Sequence, residues 1–138
     1  MLQKVMVVND NELLLMIAEK MINICHFAKE TITATDGQIA LEYFDKLLKE
    51  PSTVDHQAPE FIFLDLHMPT MDGWEFLEIY TKQYAKHFPD IRIAILSASA
   101  DMTDMLLLVK YPIVIDFIST PFDEAILAKL ASKLMQHA

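Results

Sequence analysis

Apolar residues along the chain follow two alternating patterns. Short unbroken runs occur at Lys4–Val8, Phe61–Leu64, Ile91–Leu96 and Ile113–Ile118, with the more polar Thr31–Thr35 as a fifth. Between them apolar residues recur every three or four positions. Leu14, Ile17, Met21 and Ile24 mark such a stretch over 11–27, and Ala40, Phe44 and Leu47 mark another after Asp36-Gly37. Trp74, Leu77, Tyr80 and Tyr84, the segment Asp101–Lys110, and Ile126, Leu130 and Leu134 complete the series. The runs predict strands and the longer spacing predicts helices. Four of the runs show little alternation, as parallel strands do when helices cover both faces of a sheet. Five strand–helix units predict one doubly wound α/β domain over residues 1–138. Residues 50–60, with two prolines, read as a surface loop between the second helix and the third strand.

Composition narrows the classes of function. The length of 138 residues suits a single core. Eleven basic against 20 acidic residues leave a net charge of −9, which repels nucleic acid phosphates and anionic lipid. No nucleic acid and no membrane partner is expected. No apolar run reaches the roughly 18 residues of a membrane span. The first residues lead straight into a strand, so no secretion signal is expected. One cysteine, Cys25, fits a reducing compartment and reads as a buried helix residue. The expected location is cytoplasmic. The five histidines lack paired ligand spacing, which argues against zinc.

Candidate chemistry lies where the strands end. In doubly wound sheets ligands bind beyond the carboxyl ends of the strands. Asn9 and Asp10 follow the first strand, Asp65 the third, Ser97 the fourth and Thr120 the fifth. Two carboxylates converging on one crevice suit a hard divalent cation such as Mg²⁺. A carboxylate beside such a cation can attack phosphorus and become an aspartyl-phosphate, with the Ser97 hydroxyl available to the phosphoryl oxygens. Blander readings stand beside these. Asp10 alone reads as the cap or first-turn acid of the first helix, and Asp65 as a strand-end acid accepting loop amides. Thr120-Pro121-Phe122-Asp123 fits a capping box with proline in the first helical position. Phe117 reads as core.

Several segments together resemble the receiver domain of bacterial two-component response regulators, over nearly the whole chain. Val7-Val8-Asn9-Asp10 is similar to the acidic pair after the first strand, and Ala34-Thr35-Asp36-Gly37 to the turn into the second helix. Leu64-Asp65-Leu66-His67-Met68-Pro69-Thr70-Met71-Asp72-Gly73 is close to the phosphoacceptor segment and carries most of the specificity. Leu96-Ser97-Ala98 resembles the switch hydroxyl region, and Asp116–Phe122 the exit of the fifth strand. The resemblance implies a flavodoxin-like sheet of strand order 2-1-3-4-5. It makes Asp65 the phosphoacceptor, with Asp10, Asp65 and the backbone carbonyl of His67 as Mg²⁺ ligands and Asn9 as a weakened, indirect one. Ser97 and Phe117 would form the switch.

Two positions depart from the family pattern: Asn9 replaces an acid and Thr120 a lysine. The site keeps the same formal charge, because one carboxylate and one ammonium are lost together. The implied function is phosphorelay signalling, with a phosphoryl group received from a sensor histidine kinase or phosphotransfer protein. The chain would not be an enzyme beyond its own phosphoryl transfer and dephosphorylation. Because the chain ends soon after the fifth helix, no output domain is expected. The signal would pass to a downstream protein, or to a second copy, through the face of helix 4, strand 5 and helix 5. Met105–Val109, five successive apolar residues, cannot all face the sheet at about 100° per residue. The alternative is a pseudo-receiver, an interaction module without regulated phosphorylation. A flavin carrier is disfavoured by the acidic loop after the first strand, and an aspartate-nucleophile phosphatase by His67 standing two residues after Asp65.

Overall fold

Among the described residues, five strands and five α-helices alternate along the chain. The computed structural model describes residues 1–50, 58–97, 102–119 and 123–136. Thr120 and most of the 50–60 loop lie outside the described residues. The elements are β1 (Leu2–Val8), α1 (Glu12–Ile24), β2 (Ala28–Ala34), α2 (Gly37–Lys49), β3 (Phe61–Leu64), α3 (Gly73–Gln83), β4 (Arg92–Ser97), α4 (Met102–Leu107), β5 (Val114–Ser119) and α5 (Glu124–Gln136). The strands form one parallel sheet in the order β2-β1-β3-β4-β5. Both the class and the strand order match the sequence expectation.

Alternate strand residues feed two cores, which is why the strands read as continuous apolar runs. Met6, Val8, Ile62, Leu64, Ile93 and Ile95 face α2 and α3, where Phe44, Leu47, Phe76 and Tyr80 are buried. Val5, Val7, Phe61, Phe63, Ala94 and Leu96 face α1 and α5, where Leu15, Ile22, Leu127 and Leu130 are buried. Tyr80 is enclosed among Phe44, Phe76 and Tyr84, and its buried hydroxyl has no hydrogen-bond partner among the described residues. An unsatisfied buried polar group costs about 1–3 kcal/mol. Tyr80→Phe is therefore expected to stabilise the fold by about 1 kcal/mol, read as a higher urea midpoint with an unchanged slope.

The structure corrects the inward face of α1. The spacing pointed to Leu14, Ile17, Met21 and Ile24, whereas Leu15, Ala18 and Ile22 are buried and Ile24 is exposed. Leu13–Ile17 is apolar on every side, so periodicity alone could not set the helix phase. The cap sets it. Asn11 accepts the amides of Leu13 and Leu14 at 2.9 and 3.2 Å, placing Leu15 against the sheet. The helix also stops earlier than Phe27. Cys25 caps it, His26 takes a left-handed conformation (φ 54°), and the Phe27 amide donates to the Ile22 carbonyl at 3.0 Å. That is a Schellman closure, and Cys25 is partly exposed where a buried helical position was expected.

α4 is shorter than predicted, because Leu108–Lys110 tightens into a 3₁₀ turn. Leu108 turns into the core, while Met105, Leu106, Leu107 and Val109 are exposed, Val109 by 79%. The apolar run therefore does present an uncovered surface.

Candidate functional site

The register of the sheet brings the two candidate carboxylates to one edge. β1 and β3 are neighbours with Val8 opposite Leu64, so Asn9-Asp10 and Asp65 leave the sheet side by side. The Asp65 amide donates to the Val8 carbonyl at 3.0 Å, and the Asn9 amide to the Ala34 carbonyl at 3.0 Å. These bonds carry the pairing one residue past each strand. Asp10 is not the helix cap, since Asn11 holds that role. The capping explanation of Asp10 therefore fails. Asn9 is buried, and its side-chain oxygen accepts the Asn11 amide at 2.8 Å, which turns the chain from β1 into α1.

The loop after Asp65 is tied down at several points. Asp65 Oδ1 accepts the His67 amide at 3.2 Å. The Gly73 amide donates to the Leu66 carbonyl at 3.0 Å, closing the loop on itself. Asp72 caps α3 by accepting the Glu75 amide at 2.9 Å, and Glu75 reaches back toward the Asp72 amide, a reciprocal box. Thr70, a β-branched residue, is held at φ 67°, a strained conformation for its type. The loop also meets the next turn, where the Gly37 amide donates to the Met71 carbonyl at 3.3 Å.

Electrostatics distinguish Asp65. Burial pushes its carboxyl above the usual carboxylate range; the His67 amide opposes this, and the neighbouring Asp10 charge adds to it. A half-buried carboxylate beside a second one is poorly compensated and suits a cation. No group of three or more metal-ligating His, Cys, Asp or Glu side chains occurs among the described residues. Two carboxylates and a loop carbonyl nevertheless fit Mg²⁺, which keeps much of its water and needs few protein ligands.

The remaining candidates sit on neighbouring strands. Ser97 is the last residue of β4, whose partner β3 ends at Leu64 beside Asp65. Phe117 lies in β5 opposite Ile95 and packs, half-buried, against the α2–α3 core. Thr120 lies outside the described residues. Its suggested capping box lies outside the described residues except for Asp123, which accepts the Ile126 amide at 3.0 Å at the start of α5.

Residues 5–132 match the response regulator receiver domain family. The chain belongs to that family. Solved structures share its architecture. A two-component response regulator from Cytophaga hutchinsonii gives a TM-score of 0.85 at 21% identity, covering 98% of each chain. One from Legionella pneumophila gives 0.76 at 23%, covering 97% of this chain and 98% of the other. A chemotaxis protein of Vibrio cholerae gives 0.72 at 21%, covering 97% and 99%. At such identities the likeness shows the fold. No curated protein sequence matches the chain.

As a receiver domain the chain is a signalling module of two-component systems. None of its described helices is long and apolar enough to cross a membrane. Sequence reasoning missed two features of this receiver domain. Asn11 stood beside Asp10 as an equally good cap, and only the backbone turn separates them. Asp104 on α4 lies 3.4 Å from the His67 ring, a contact that no local pattern announces.

Proposed function

We propose that Asp65 accepts a phosphoryl group from a phosphohistidine of a sensor kinase or phosphotransfer protein. The observation that carries this is the meeting of Asp10 and Asp65 at the ends of adjacent strands, with Asp65 half-buried and its carboxyl pushed up. An Asp65 side-chain oxygen attacks phosphorus; the O–P bond forms as the P–N bond breaks. The electron pair stays on the donor imidazole, which takes a proton from solvent. Asp10, Asp65 and the His67 carbonyl would hold Mg²⁺, as receiver domains typically do. The cation supplies charge neutralisation between carboxylate and phosphoryl oxygens. Ser97 would meet a phosphoryl oxygen and Phe117 would respond, with no lysine at position 120 to pair with the added charge.

Output would pass by protein contact. The exposed Met105, Leu106, Leu107 and Val109 favour the face of α4, β5 and α5 as the contact surface for a downstream protein or a second copy. The acidic net charge disfavours nucleic acid, and a cytoplasmic setting fits the kinase partner.

The test is mass spectrometry after incubation with Mg²⁺ and acetyl phosphate, with peptide mapping. The expected result is one added phosphoryl group, located on the peptide holding Asp65. An unchanged mass would instead leave an interaction module without regulated phosphorylation.

Metal affinity gives a second expectation. An aspartate at position 9 can keep the Asn11 bond with one oxygen and offer the other to the cation. Asn9→Asp should therefore tighten Mg²⁺ binding about tenfold, or ~1.4 kcal/mol, in calorimetric titration. Equal or weaker binding would mean that position 9 does not face the metal.

A further inference from the structure

α1 carries two apolar faces. Leu15, Ala18 and Ile22 are buried against the sheet. Leu14, Ile17, Met21 and Ile24 form a second strip, spaced three, four and three residues apart as in a coiled-coil seam. Leu14, Ile17 and Ile24 are 37, 42 and 68% exposed, Leu13 beside them is 63% exposed, and Met21 is half-buried. At about 100° per residue Glu19 points away from this strip, which holds no carboxylate and is bordered by Lys20. Where the helix ends, a hollow of about 380 Å³ opens toward α5, with Cys25, Phe27, Ala128, Ala131 and Leu134 among its walls. The strip therefore protrudes at the amino end of α1 and meets a cavity at the carboxyl end.

We propose that this strip and hollow pair two copies of the chain about a two-fold axis, α1 antiparallel to α1, with Leu14 of each copy at the hollow of the other. The spacing argues for a second copy. The strip reads the same in both directions about Glu19, so antiparallel pairing sets Leu14 against the partner's Ile24 and Ile17 against the partner's Met21. A two-fold interface needs such self-complementarity, because one patch must fit itself. Charge points the same way. A chain of net charge −9 repels its own copies wherever carboxylates meet, and the strip presents none. Antiparallel pairing also sets the positive amino end of each α1 beside the negative carboxyl end of the other, whose last turn holds no basic residue. Strip and hollow offer on the order of 500 Å² of apolar surface per copy, so pairing buries about 1,000 Å² in all, the lower limit for a specific interface. The association is therefore weak and depends on concentration. It leaves the apolar surface of α4 to a downstream protein, and it needs no phosphoryl group.

The experiment is sedimentation velocity of the full chain from about 10 μM to about 1 mM. The average mass should climb from that of one chain toward that of two. Leu13→Asp and Ile24→Asp, both at mostly exposed positions, put a carboxylate on the strip. Each should weaken association about tenfold or more, with circular dichroism and thermal unfolding unchanged. Leu106→Asp, at a comparably exposed position of α4, should associate as the wild type does. Leu14→Cys reads the register against the chain's single cysteine. Positions 14 and 25 of one chain lie about 16 Å apart along the helix, too far for a disulfide within it. Oxidised glutathione should therefore join that variant into a covalent dimer through Cys25 of the partner subunit, whereas Glu19→Cys, on the far side of the helix, should stay uncoupled. A wild type that remains monomeric at the highest concentration overturns the inference, as does association of both strip variants at wild-type strength. Loss of association in Leu106→Asp alone moves the second copy to α4 and overturns it as well. Equal cross-linking of Glu19→Cys and Leu14→Cys overturns the register and the pairing with it.

Discussion

Asp65→Asn is expected to abolish the phosphoryl gain and, at the same time, to stabilise the protein at neutral pH. The first effect is all or none, because an amide oxygen lacks the anionic charge needed to attack phosphorus. The second follows from the environment of the carboxyl group. Burial, with the Asp10 charge in support, raises the folded-state value above that of an unfolded carboxylate, although the His67 amide pulls the other way. The folded state then holds its proton to higher pH than the unfolded state does. The stability associated with the neutral form is present below the unfolded value, near 3.9, and is lost as pH rises through the higher folded value. At pH 7 the wild type therefore carries an unfavourable charge that the asparagine lacks. Urea denaturation of both proteins between pH 3 and pH 7 should show the variant more stable at pH 7 and the difference closing toward pH 3. Equal stability at pH 7 would mean that solvent or a flexible neighbour compensates the Asp65 charge. Labelling of the variant equal to that of the wild type would remove Asp65 as the acceptor.

Gly73→Ala is expected to damage fold and site together. An added Cβ at Gly73 would lie 2.5 Å from the Asp65 carbonyl oxygen and 2.7 Å from the Leu66 Cα. Both are backbone atoms, so no side chain can swing aside. Either α3 backs away from the loop or the loop moves with Asp65. Overpacking of this kind costs about 3 kcal/mol, and it loosens the Gly73 amide from the Leu66 carbonyl. A displacement near 1 Å at the acceptor can slow transfer about a hundredfold. Gly37→Ala is the comparison, because its Cβ first meets the flexible Met71 side chain, at 2.9 Å. The Gly37 variant should lose less stability and phosphorylate faster than the Gly73 variant. If Gly73→Ala melts and phosphorylates as the wild type does, the close approach is not what holds the loop.

Much of the architecture follows from residue order alone. Unbroken apolar runs separated by helical spacing specify a parallel sheet with two covered faces, because neither face can be left in water. The run from Leu64 to Gly73 shows its resemblance to the family's phosphoacceptor segment in its letters, since turn, cap and carboxylate are all local. The two departures that the resemblance implies, Asn9 and Thr120, are likewise read as letters. Other properties depend on what packs against what. The inward face of α1 could not be read from Leu13–Ile17, where every side is apolar, and the Asn11 cap together with the sheet selects Leu15, Ala18 and Ile22. The end of α4 was hidden for a similar reason: Leu108 alone finds room in the core, and the helix tightens there while its neighbours stay exposed. The burial that raises the Asp65 carboxyl and the meeting of His67 with Asp104 join residues distant in sequence. Periodicity reports only neighbours along the chain, so contacts of this kind exist only once the sheet has set its strands side by side.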